Sequence, residues 1–163
     1  MSNKLRNMTS IYISRGTELL MLYRIGSRVV VSPSWCGIGG HFEEFELNDP
    51  YGCVIRELQE ETAIKKEDIC NVRLKYITLR LKKGEVRQNY YFFADLKPGV
   101  EPELQCNEGK LQWVDYDKVF EKDMPYTAKQ VLKHFFEEGI KDERLYGGIA
   151  KEDKVVFEEL KEF

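Results

Sequence analysis

Four charged residues in the run RELQEE, Arg56, Glu57, Glu60 and Glu61, are the side chains best suited by type and spacing to do chemistry. On a helix advancing about 100° per residue they cover an arc of roughly 140°. Tyr51, Val54, Ile55 and Leu58 recur at i, i+3, i+4 and i+7 on the other side, the pattern of a buried helical face. Glu57 and Glu61 are like charges four residues apart, which costs an isolated helix roughly 0.2 to 0.5 kcal/mol, and Glu60 adds to the crowding. A divalent cation would reverse that cost. Carboxylate oxygens are hard ligands that suit Mg²⁺, an ion that keeps several waters and binds phosphate oxygens directly. Such a centre can neutralise phosphate charge and align a water with a leaving group.

An arbitrary acidic helix is most often a solvated face. Here the surroundings argue for a site. A helix serving solubility would alternate Glu with Lys, and it would need neither the paired Gly39 and Gly40 nor the acidic Glu43, Glu44 and Glu46 that precede it.

The elements that must position these groups can be read on either side. Asn48 or Asp49 caps a helix whose Pro50 falls where a missing amide hydrogen is tolerated, and the helix ends near Thr62. Residues 10–14 and 18–24 read as a hairpin about Arg15-Gly16-Thr17. A loop-like stretch, 26–33, with the apolar Val29 to Val31, leads through Trp35 to the paired glycines. Residues 72–81 and 88–96 form a second hairpin across Lys83-Gly84-Glu85, and 111–114 is a further short strand. Thr127-x-x-Gln130 resembles a capping box ahead of Ala128, Val131, Leu132 and Phe135, and a last small hairpin pairs 145–149 with 155–159. Interleaved strands with two helices predict a mixed α/β fold, and 163 residues without a repeat or linker fit a single domain over 1–163.

Composition narrows the function. A net charge of -3 and a pI near 5.6 give no broad positive field, so a nucleic-acid polymer is not expected as partner, whereas a small anionic substrate can be held by local cations and a metal. Cys36, Cys53, Cys70 and Cys106 lack CxxC spacing and read as buried or half-buried free thiols. No signal-peptide core or span-length apolar run is present, so the expectation is a cytoplasmic protein without membrane contact, monomeric or a homodimer.

The segment 39–64 resembles the signature of the MutT/Nudix family: G, five residues, E, seven residues, then REUxEExGU with U aliphatic. Gly40, Glu46, Arg56, Glu57, Leu58, Glu60, Glu61 and Ile64 stand at the matching positions. Two departures are plain, nine residues rather than seven between Glu46 and Arg56, and Ala63 in place of Gly. The extra pair falls at 48–50, where a loop can absorb it, while Ala63 predicts an altered helix-to-strand turn, since Gly there tolerates positive φ. The resemblance implies a Nudix fold, a mixed sheet between helices, with Mg²⁺ or Mn²⁺ held by Glu57, Glu60 and Glu61 and with Arg56 holding a glutamate in place. It further suggests the Gly39 carbonyl and Glu108 as metal ligands, and Arg24 and Gly40 at the substrate. Each has a plainer alternative as a turn, a loop acid or a surface arginine. His41 and His134 read as structural or solvated, and Tyr90 to Phe93 as core with a share in a base-stacking wall. The implied reaction is attack of water on a nucleoside triphosphate to give the monophosphate and pyrophosphate, leaning towards the 8-oxo-dGTP diphosphatase branch. Other substrates are ADP-ribose, a dinucleoside polyphosphate or a nucleotide sugar. A noncatalytic nucleotide-binding regulatory module is the reading from another class, and the intact charged quartet argues against it. The resemblance does not choose the general base.

Overall fold

The computed structural model describes residues 4–25 and 33–163. Eight strands form one mixed sheet: β1 (Lys4–Arg15), β2 (Glu18–Arg24), β3 (Ser34–Cys36), β4 (Ile69–Lys82), β5 (Glu85–Leu96), β6 (Gly109–Asp115), β7 (Tyr146–Ala150) and β8 (Val155–Glu159). Their order is β3-β2-β1-β5-β4-β7-β8, with β6 on the other edge of β2. β1 lies parallel to β5 and β4 parallel to β7, and the remaining pairs are antiparallel. Two helices, α1 (Pro50–Glu61) and α2 (Tyr126–Glu137), carry the main apolar faces off the sheet.

Strand alternation sends successive side chains to opposite faces, and two cores result. Ile11 and Ile13 of β1, Leu20 and Leu22 of β2 and Phe92 and Ala94 of β5 meet Val54, Ile55 and Leu58 of α1. Tyr12, Leu19, Met21, Tyr91 and Phe93 meet Ala128, Val131, Leu132 and Phe135 of α2 on the other face. The sheet is thus sandwiched between helices, as expected. All three expected hairpins form; β1, β4 and β5 run longer than alternation alone marks, while β2, β7 and β8 keep the expected lengths.

Two expectations are corrected. Tyr51 is 39% exposed and leaves the buried face to Cys53, Val54, Ile55 and Leu58, because it sits in the first turn and only the edge of its ring reaches Phe92. Thr127 caps nothing: α2 starts one residue earlier behind Pro125, and the Thr127 hydroxyl is buried inside the first turn. Trp35 lies in the short strand β3, which pairs with the end of β2. The triplet Val29 to Val31 lies outside the described residues. All four cysteines are free thiols, Cys53 buried and the others half-buried. Among the described residues no helix is long and apolar enough to cross a membrane.

The tail is locked to the sheet by a buried cation. Lys75 of β4 is 1% exposed, and its Nζ donates to the carbonyl (2.8 Å) and Oδ1 (2.9 Å) of Asp142, whose Oδ2 accepts from the Tyr146 hydroxyl at 2.8 Å.

Candidate functional site

The charged groups gather where α1 ends beside the 39–40 segment. Asp49 caps α1 by accepting from Gly52 N at 2.9 Å, with Pro50 in the first turn, and this fixes the register that brings Arg56 to Glu61 round. A single-turn 3-10 helix (Glu44–Glu46) ends at Glu46, and the turn at Leu47 and Asn48 that follows it takes up the additional chain before the α1 cap. The two groups still meet: Arg56 Nε donates to Glu46 Oε1 at 2.6 Å and Nη2 to Oε2 at 2.9 Å, a fork-on-fork pair. Arg56 also donates to Glu57 Oε1 (3.0 Å), Glu60 Oε2 (2.8 Å) and the His41 carbonyl (3.0 Å). It is the hub of the cluster. Its hydrogen bonds hold the enclosed Glu46 carboxyl down at about 2.

The Ala63 departure leaves no strain. The helix closes through Thr62, which is extended (φ -133°, ψ 171°), with its hydroxyl donating to the Leu58 carbonyl (2.7 Å) and accepting from Ile64 N (3.0 Å). Ala63 is not among the residues at positive φ, so the turn has dispensed with the glycine. A hydroxyl closes this end in place of a left-handed residue.

A second arginine stands on the other side. Arg24, at the end of β2, donates through Nη2 to the Gly39 carbonyl (3.1 Å), lies 3.4 Å from Glu61 Oε2, and approaches Glu108 Oε2 at 3.7 Å through Nη1. The loop carrying Glu108 is pinned to α1: Asn107 N donates to the Glu61 carbonyl (3.1 Å) and Asn107 Nδ2 to the Glu60 carbonyl (3.0 Å). An open hollow of about 410 Å³ lies there, between Glu60 to Ala63 and Gln105 to Asn107. Asn107 escapes a reading by residue type, because a loop amide carries no periodic signal, whereas Glu46 stands at the signature's glutamate and only its pairing with Arg56 is spatial.

Burial sorts the three helix glutamates. Glu61 is nearly enclosed, and its carboxyl is pushed up to about 7, first by burial and further by Glu57 and Glu108, against the pull of Arg24. Glu57 is raised by burial, with Arg56 opposing. Glu60 stays in solvent, with 60% of its side chain exposed. Gly40 makes room for the middle one, since a Cβ there would stand 2.6 Å from the Glu57 carboxyl carbon and oxygens. Gly39 has φ +156°, and a Cβ would collide with the Thr9 carbonyl.

Among the described residues no three acidic, histidine or cysteine side chains converge closely enough to grip an ion as they stand. Arg56 draws Glu57 and Glu60 one way and Arg24 draws Glu61 the other. The donor set nevertheless fits a hard divalent cation: a carbonyl oxygen of Gly39 and carboxylates of Glu61 and Glu108 already surround one positive group, the Arg24 guanidinium, with Glu57 against the neighbouring Gly40. The His41 ring accepts from Arg6 and the His134 ring meets the Tyr76 hydroxyl at 2.9 Å, so among the described residues neither ring pairs with a cluster carboxylate.

A protein-family model described as NUDIX domain matches residues 4–135. Among solved structures, the mutator MutT protein of Bacillus halodurans is 26% identical, covers 96% of this chain and 95% of its own, and superposes with a TM-score of 0.63. A NUDIX hydrolase of Nitrosomonas europaea reaches a TM-score of 0.71 at 12% identity, over 92% of this chain and 81% of that one. An Ap4A hydrolase of C. elegans reaches 0.62 at 18% identity, over 85% and 99%. The latter two likenesses are of fold.

Proposed function

The chain belongs to the Nudix hydrolase family, and on that premise we propose that it is a divalent-metal-dependent pyrophosphohydrolase that converts a nucleoside triphosphate, 8-oxo-dGTP among the candidates, to the monophosphate and pyrophosphate. The observation that carries the reading is the set of oxygen acceptors closed around the Arg24 guanidinium beside the Arg56 cluster. Bound there, Mg²⁺ or Mn²⁺ would supply charge neutralisation on the phosphate oxygens, with the Gly39 carbonyl, Glu57, Glu61 and Glu108 as its holders and Glu60 at the solvent side.

The protein's own groups have distinct tasks. Arg56 fixes Glu46 and Glu57, so that the carboxylates keep their places when charge changes nearby. Arg24 exchanges its hold on Glu61 and Gly39 for a substrate phosphate oxygen, a fork well shaped for it. A water oxygen forms the new bond to phosphorus, the bridging P–O bond breaks, and the water's protons leave to a carboxylate and to solvent. The 26% identity to a mutator MutT protein supports the oxidised-nucleotide lean. A second reading keeps the chemistry and changes the substrate to one with a longer phosphate chain, such as a dinucleoside polyphosphate. Cations on the α2 face of the sheet, Arg80 and Arg87 among them, favour it.

Incubating the chain with Mg²⁺ and a panel of triphosphates, dinucleoside polyphosphates, nucleotide sugars and ADP-ribose, and resolving the products, tests the proposal. Monophosphate with pyrophosphate from a triphosphate is the expected result. Tight nucleotide binding with no product from any member of the panel would leave a noncatalytic binding module instead.

A further inference from the structure

The end of α1 is closed partly from outside the helix. The last four carbonyls of a helix find no partner within it. Here the Leu58 carbonyl is answered by Thr62, through its N–H (3.1 Å) and its hydroxyl (2.7 Å). The carbonyls of Glu60 and Glu61 are both answered by one residue of a distant loop: Asn107 Nδ2 donates to the first (3.0 Å) and Asn107 N to the second (3.1 Å). An antiparallel bridge between Thr62 and Cys106 continues the contact. The family signature has glycine at this end, and a residue at positive φ lets a helix turn back on its own carbonyls. With Ala63 in that place, and not at positive φ, the capping of Glu60 and Glu61 has passed to Asn107.

The same loop is fixed to β2 one residue further on. Gly109 pairs with Arg24, and Ile25 N donates to the Glu108 carbonyl at 3.3 Å. A Cβ on Gly109 would run into the Tyr23 carbonyl, so glycine lets the loop come down this close. Glu108 therefore stands between two anchors, one on the helix that carries Glu57, Glu60 and Glu61 and one on the strand that carries Arg24. The strand anchor is all backbone, whereas half of the helix anchor is the Asn107 amide. Aspartate at 107 would aim an acceptor at the Glu60 carbonyl, so the residue type matters there.

We propose that Asn107 is a positioning residue for the reaction: by capping α1 from the neighbouring loop it holds the Glu108 carboxylate beside Glu61, so that both reach one divalent cation. The inference rests on the metal-dependent pyrophosphohydrolase reading and adds to it the residue that ties the loop carboxylate to the helix carboxylates. The Asn107 amide touches neither ion nor substrate, and its whole effect on the ion passes through Glu108.

Binding of Mn²⁺ to the whole chain without nucleotide, followed by loss of the free ion's paramagnetic resonance signal, reads this hold with no turnover involved. Asn107 is exposed, so exchanging it leaves no cavity. Asn107→Ala should weaken Mn²⁺ binding about tenfold, a usual loss when a residue that orients a metal ligand is removed, and Glu108→Gln should weaken it at least as much. In the Glu108→Gln background, Asn107→Ala should change the affinity by less than about twofold, because residues that act through one another do not add. The melting temperature should fall by the same small amount on Asn107→Ala in either background, since the cap on α1 is lost in both. Losses of Mn²⁺ affinity that multiply in the double variant overturn the inference, and so does wild-type affinity in either single variant. A chain that cleaves a nucleotide but shows multiplying losses refutes this inference alone, and one that shows the coupling but cleaves no nucleotide refutes the hydrolase reading alone.

Discussion

Replacing Gly40 with Ala places one methyl group against the Glu57 carboxylate and little else. The new Cβ would stand 2.6 Å from the carboxyl carbon and oxygens, and ordinary contact begins at 3.4 Å, so the carboxylate must retreat by about 0.8 Å. The backbone has no reason to follow, since Gly40 is not at positive φ and the obstacle is the end of a flexible side chain. The stability cost should stay within about 1 kcal/mol. Misplacing a reacting group by ~1 Å costs on the order of a hundredfold in rate, close to 2.7 kcal/mol of barrier, or roughly two factors of ten. Gly39→Ala is the control of opposite kind: at φ +156° with the Thr9 carbonyl in the way, the backbone itself must shift. Strain alone there is of order 1–3 kcal/mol. Thermal melts and product release at saturating Mg²⁺ should therefore separate a folded, slow Gly40→Ala from a destabilised Gly39→Ala. A folded Gly40→Ala that turns over within threefold of wild type would show that the place of the Glu57 carboxylate does not matter to the chemistry.

Arg56→Lys keeps the charge but loses the fork on the enclosed Glu46, and should destabilise the protein by about 2–3 kcal/mol at pH 7. Because the Glu46 carboxyl is held at about 2 in the fold against 4.5 as the ordinary value, the stability it lends is present above about 4.5 and is lost as pH falls through 2. The gap between wild type and variant in urea unfolding should close over that window, and a gap independent of pH contradicts the pairing. The Glu61 carboxyl is displaced the other way, to about 7, so its favourable contribution is full below about 4.5 and disappears as pH climbs through 7. Mg²⁺ should consequently raise the melting temperature more at pH 8 than at pH 5.5, and Glu61→Gln should flatten the difference; an equal shift at both pH values in wild type counts against Glu61 as a holder of the ion. Excess EDTA should abolish hydrolysis and added Mg²⁺ or Mn²⁺ restore it, whereas full turnover in chelator would remove the metal from the account.

What could be read from the chain and what could not divide along the distance over which the physics acts. The register of α1 follows from Asp49, Pro50 and the spacing of Val54, Ile55 and Leu58, all within one element, and the structure keeps it. Tyr51 breaks the pattern because a first-turn side chain lies at the rim of the core, and Cys53, beside Thr9 at 3.6 Å, fills the face instead. The strand β3 is three residues long, too short for alternation to show, and exists because the end of β2 offers it hydrogen bonds. The placing of Arg24 beside Glu61 and Glu108 joins three distant segments, and no period in the sequence encodes it. The longer loop before Arg56 departs from the signature's spacing and is expected to be absorbed at 48–50; the Arg56 pair with Glu46 is closed through space, and a loop of either length can deliver it.

The match to the family ends at residue 135, yet Lys75, well inside it, takes its counter-charge from Asp142, outside it. A boundary drawn by similarity and a boundary drawn by solvation therefore disagree. A chain trimmed to the matched residues would keep every group of the carboxylate cluster but would lose Asp142, the partner of the Lys75 ammonium, together with β7, which covers the edge of β4, and should melt earlier than the whole chain. Residues 136–163 thus act as an internal counter-ion on a tether.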